Sequence, residues 1–194
     1  MRKLVRTAIA CALLAAAVPA NADVLSFTGS VTGESTFIGL DPTCVAPEIF
    51  RTAIDPASTT GTSSLGDFTF GTSTCLSPGG ALSSGTFIID FGADTFNGIF
   101  DGGSTPTDVA GISDTAWLFT TLGGTGLYEG ASGTFQGTGT ADARSQPTQV
   151  LINFAGTVFT PVPEPATWLL MILGFGQIGW LTRRRRRHVR AQLA

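Results

Sequence analysis

The chain is 194 residues long and carries 11 Lys plus Arg, 14 Asp plus Glu and one His, for a net charge of −3. The balance is uneven, because residues 23–160 hold thirteen carboxylates against only Arg51 and Arg144, a net charge of −11, with no Lys and no His. Such an acidic stretch excludes nucleic acid and anionic lipid as partners of its own, and nucleophilic catalysis through a Ser-His, Cys-His or Lys-assisted pair is excluded there for want of a base.

The N-terminus reads as an export signal. Arg2, Lys3 and Arg6 form a positive region, residues 7–18 an apolar core, and Ala20-Asn21-Ala22 a small-residue cleavage site, which places the mature start at Asp23. Signal peptidase is the implied processing enzyme. Cys11 belongs to this removable helix and is followed by Ala12 and Leu13, so it is not a lipid-attachment cysteine.

About 140 residues follow, enough for one domain with a real core. Leu25, Phe27, Gly29 and Val31 alternate with Ser26, Thr28 and Ser30, the period of 2 that marks a half-buried strand. The same alternation recurs at Phe87, Ile89 and Phe91, at Trp117 and Phe119, and at Val150, Ile152, Phe154 and Val158. Gly79-Gly80, Asn97-Gly98, Asp101-Gly102-Gly103 and Gly123-Gly124 read as turns between strands. No amphipathic helical stretch competes. The expected fold of residues 23–160 is therefore all-β, an antiparallel sandwich or barrel.

Cys44 and Cys75 are the only cysteines left after signal removal, and in an oxidising compartment two thiols in one exported domain pair. Closing a loop of about 31 residues removes about 3.7 kcal/mol of unfolded-state entropy on the chain-entropy model. A metal pair is the rival reading, although soft-metal sites recruit His or further Cys and none is at hand, so no metal or cofactor is expected.

Residues 123–142, GGTGLYEGASGTFQGTGTAD, interleave glycines with Leu127, Tyr128 and Phe135. The segment resembles the Gly-Gly-Thr-Gly hairpin of allene oxide cyclase and dirigent barrels over some twenty residues, which implies a β architecture and no activity. Asp90, Asp94, Asp101, Asp108 and Asp114 concentrate in one third of the domain. Paired carboxylates can run glycoside hydrolysis, and Asp101 to Asp108 on a Gly-rich stretch can suit calcium, without an EF-hand pattern. The plainer reading is that these carboxylates solubilise a Lys-free β protein.

The tail is the most explicit part. Val162-Pro163-Glu164-Pro165-Ala166-Thr167-Trp168 leads into an apolar stretch, and 166–182 gives 17 residues without a formal charge. As a helix rising about 1.5 Å per residue it covers about 25 Å of a hydrocarbon core about 30 Å thick, the lower edge for a transmembrane helix. Trp168 and Trp180 suit the interfacial belt, and Arg183, Arg184, Arg185, Arg186 and Arg187 act as the stop, holding 183–194 in the cytoplasm and leaving 23–160 outside. An arginine run behind a span and an export signal is an anchor and not a nucleic-acid site.

These residues resemble the C-terminal segment of the PEP-CTERM exported proteins of Gram-negative bacteria, also called the ice-binding protein C-terminal domain. The Pro-Glu-Pro-Ala-Thr-Trp opening, Met171 to Gly176 and the terminal arginines look like the subtype with Trp168 three residues after the motif, with Leu169 where that subtype has Ala. The resemblance implies that exosortase, a membrane cysteine transpeptidase, cuts at Pro163, Glu164 and Pro165. It further implies a transient inner-membrane anchor, delivery to the cell surface or outside, and association with exopolysaccharide and biofilm. The expected organisation is a signal peptide over 1–22, an exported β domain over 23–160 and a sorting segment over 161–194. The expected function is a surface or matrix protein without catalysis. The alternative is a carbohydrate-active enzyme or a glycan- or calcium-binding module using the clustered aspartates. Ice binding through Thr60-Gly61-Thr62 and Thr138-Gly139-Thr140 lacks a fixed repeat to align its threonines.

Overall fold

A computed structural model describes residues 22–161 and 172–177. Ala22–Pro161 form one compact unit, and outside it only a helical turn over 172–177 is described. Among the described residues no helix is long and apolar enough to cross a membrane. The expected span over 166–182 lies largely outside them, as do the signal residues 1–21, the sorting motif and the arginine run.

Nine strands follow one another in the exported unit: β1 (Asp23–Leu40), β2 (Phe50–Ile54), β3 (Thr60–Ser63), β4 (Gly66–Leu76), β5 (Ser83–Asp90), β6 (Thr95–Pro106), β7 (Ile112–Thr125), β8 (Ser132–Asp142) and β9 (Thr148–Thr160). From β3 to β9 each strand pairs antiparallel with the next in the chain. The sheet then closes, because β9 returns to β1 over a ladder running from Asp23↔Thr160 to Ser35↔Thr148. β2 and β3 share one position, both lying between β1 and β4, with a 3₁₀ turn at Pro56–Ser58 between them. Closure makes this a barrel and not a sandwich, and it leaves no free sheet edge along β1 to β9.

The alternation expected from the sequence sets the inner face. Phe27 is fully buried and its ring meets those of Phe68, Phe96, Phe135 and Phe154 at 5.1–6.1 Å between centroids. Phe119 and Phe135 stack at 4.9 Å and 3°. At the end where the two termini of the barrel meet, the 3₁₀ turn Gly126–Tyr128 brings Tyr128 against Phe91 and Phe96 and fills the interior.

Three of the glycine signals lie inside strands instead of between them. Gly79-Gly80 does form the β4–β5 turn, but Asn97-Gly98 and Asp101-Gly102-Gly103 lie within β6 and Gly123-Gly124 within β7. The reason is close backbone approach, not turning. A Cβ on Gly98 would come within 1.9 Å of the Thr120 carbonyl oxygen, at the point where the β6–β7 register shifts. Glycine in a strand interior marks such a bulge or approach as readily as a turn.

Candidate functional site: the open mouth of the barrel and the sorting tail

Inward-pointing side chains change character along the barrel axis. Phenylalanines fill the half nearest the termini, whereas the same inward rows end in Ser35, Thr52, Thr74, Ser83, Ser104 and Thr148 at the other end. Thr115 on β7 and Ala141 on β8 continue this set. Small side chains cannot fill the cross-section that Phe fills lower down, so a cavity of about 310 Å³ opens there. Phe70, Phe100, Trp117 and Phe119 form its aromatic floor and wall, and none of its lining residues is ionisable. Trp117 is held in place by its indole Nε1, which donates to Ser83 Oγ at 2.8 Å.

The rim is braced by the loop over 41–49. Cys44 and Cys75 form the expected disulfide, with their Cα atoms 5.6 Å apart. Arg51 Nε donates to Asp41 Oδ2 at 2.5 Å, Arg51 also donates to Thr43 Oγ1 and Ser73 Oγ, and Thr43 donates to Asp41 Oδ1. Hydrogen bonds from the Thr43 side chain and backbone and from Arg51 hold the Asp41 carboxyl down at about 2, so the rim keeps its ion pair well into acid. Replacing both cysteines with Ala is expected to lower stability by about 2–4 kcal/mol, read as a lower denaturant midpoint with a steeper slope, because the unfolded chain freed of its crosslink exposes more surface. A midpoint equal to wild type would show that the crosslink restrains nothing.

The aspartates singled out by sequence are not gathered into one site. Asp90 and Asp94 share the tight β5–β6 turn, where Asp90 Oδ1 accepts from the Gly92 amide at 2.6 Å and Asp94 Oδ1 from the Leu127 amide at 2.9 Å. Asp101 and Asp114 are exposed strand residues of β6 and β7, paired across the sheet with Leu118 and Thr105 respectively. Asp108 lies in the loop at the opposite end from Asp90. Among the described residues no group of three or more His, Cys, Asp or Glu could hold a metal ion. The two Thr-Gly-Thr stretches do reach one outer face, through Thr62↔Ser30↔Asn153↔Thr138 and Thr60↔Thr32↔Leu151↔Thr140, but Asn153 and Leu151 interrupt the ranks. The mouth cavity left no local signal in the sequence, because its lining residues come from nearly every strand.

Asp23 is the first residue of β1, and Thr160, the last of β9, pairs with it. The segment that begins immediately afterwards, residues 161–187, matches the PEP-CTERM protein-sorting motif. The chain carries a PEP-CTERM sorting signal. Proteins with this signal are exported, sorted through the membrane and processed by exosortase. No curated protein matches the chain. Among solved structures, that of a pterocarpan synthase dirigent protein matches 75% of this chain and 94% of its own, at 8% identity and a TM-score of 0.31, a likeness too loose to bear on fold or activity. The PEP-CTERM match covers the tail alone.

Proposed function

We propose that residues 23–160 form a non-catalytic cell-surface or matrix domain of a Gram-negative bacterium, held briefly by the PEP-CTERM tail and released by cutting near Pro163-Glu164-Pro165. The observation that carries this reading is the sorting signal joined to a barrel whose mouth cavity has no ionisable lining residue. General acid–base or covalent chemistry needs a titratable or nucleophilic group beside its base. The aspartates that could supply carboxylate chemistry are dispersed over both ends and the outer wall. In this role the acidic barrel lies outside the inner membrane with its arginine tail in the cytoplasm, and exopolysaccharide is its surrounding matrix.

Intact-mass measurement of the native protein tests the processing half. The expected mature species begins at Asp23 and lacks the residues beyond the Pro-Glu-Pro element. Intact Trp168 to Ala194 in the mature pool, with exosortase active, would overturn it. A glycan hydrolysis screen on the exported protein tests the other half and is expected to stay blank, whereas an activity lost on Asp→Asn change at Asp90, Asp94 or Asp101 would make the protein a carbohydrate-active enzyme.

A further inference from the structure

Both ends of the exported chain meet at the barrel end opposite the mouth, and that end carries an apolar patch of its own. Val24 on β1 pairs with Phe159 on β9, which pairs in turn with Ser132 on β8. Leu122 on β7 stands one residue beyond Thr121, whose partner is Gly133, so it continues this outward row. Leu127 projects from the 3₁₀ turn that follows β7. Val24, Leu122 and Leu127 are more than half exposed and Phe159 more than a third. The chain leaves the barrel beside this set. Pro161 packs on the same β7–β8 loop, since a Cβ on Gly130 would come within 3.0 Å of its ring.

We propose that this terminal face is a docking surface for exosortase, which holds the barrel end as well as the motif. The proposal rests on the reading that the cut falls near Pro163-Glu164-Pro165. Chain length selects the occupant. Thr160 is fixed in the closing ladder opposite Asp23, and at about 3.6 Å per residue Pro163 lies within about 11 Å of it and Pro165 within about 18 Å. A single helix with its side chains is about 10–12 Å across. One wall of a cleft that encloses the motif therefore fills the gap, and the enzyme is brought against the barrel end. Covering exposed apolar side chains favours that contact, and binding of the motif has already met the entropic cost of bringing the two surfaces together. Lipid is the poorer occupant. Asp23 and Glu129 are exposed at this end, whereas Arg51 and Arg144 stand at the mouth end. Lowering the face into a bilayer would strip water from these carboxylates with no cation of the barrel beside them, while a protein partner can set donors opposite them.

Processing of the full-length precursor by purified exosortase in detergent, followed by intact mass, tests the surface. Leu127→Ser combined with Phe159→Thr removes apolar area, keeps a strand-forming residue in β9 and leaves the motif untouched. The pair is expected to raise KM at least about fivefold with kcat unchanged. Leu127→Ser alone, in an exposed turn, should move KM in the same direction with no strand altered. Leu40→Ser combined with Val45→Ser, equally exposed residues at the mouth end, should change neither constant, and circular dichroism matching wild type shows that each variant is folded. A Gly-Ser linker of about 20 residues between Pro161 and Val162 should raise the KM of the otherwise unaltered chain toward that of the patch variant, because effective concentration falls as the tether lengthens. Unchanged KM in folded patch variants would overturn the docking surface, as would a linker that leaves KM unchanged or lowers it. Sensitivity to the patch that appears in lipid nanodiscs and not in detergent would assign the patch to lipid and overturn exosortase as its occupant. A wild-type product cut well beyond residue 165 would overturn the underlying reading instead, and its mass shows this before any variant is compared.

Discussion

Replacing Pro163, Glu164 and Pro165 with Ala is expected to leave membrane insertion intact and to abolish processing, so that the protein accumulates as a membrane-bound precursor longer by its tail. The residue before a proline is kept out of the helical region, so on the proposed topology the two prolines would offer exosortase an extended backbone on the outer side of the membrane. Glu164, between them, supplies the single charge of an otherwise apolar junction. Alanine removes that restriction and with it the extended backbone expected for recognition. Neutralising Arg183 through Arg187 should act on a different step. Those charges resist translocation, and without them the chain should pass through uncut instead of stopping in the membrane. Fractionation followed by intact-mass measurement separates the two outcomes. Release of both variants at the wild-type rate would reduce the tail to an ordinary anchor.

The second large effect belongs to the barrel. Phe27→Ala should destabilise the exported domain by about 3–5 kcal/mol, the usual loss for a fully buried Phe. Domains of this size hold about 5–15 kcal/mol in total, so the variant should be close to unfolding at physiological temperature. Phe27 is fully buried and its ring is the common neighbour of Phe68, Phe96, Phe135 and Phe154. Its strand also carries the ladder that closes the barrel. The void cannot collapse easily, because the surrounding rings are fixed by four different strands. Urea unfolding monitored by circular dichroism measures the loss, and a change below about 1 kcal/mol would mean that the core repacks around the missing ring.

Sequence by itself determined the features that are local in the chain. Alternation with period 2 placed Phe27, Val31, Phe87, Ile89, Phe119, Ile152 and Phe154 on the inside, since side-chain direction in a strand depends on parity alone. Compartment and cysteine count paired Cys44 with Cys75, and the contiguous tail revealed the sorting signal within about thirty residues. Only the tertiary structure decided between barrel and sandwich, because that choice rests on Asp23 meeting Thr160 at the far end of the chain, and no local pattern encodes a pairing so distant. It likewise reassigned Asn97-Gly98 from turn to strand, since a glycine needed for a neighbouring carbonyl reads the same as one needed for a turn. The mouth cavity depended on it most. Ser35, Thr74, Thr115 and Ala141 are unremarkable where they stand in sequence, and they enclose a space only when registers from separate strands bring their small side chains to one level of the barrel.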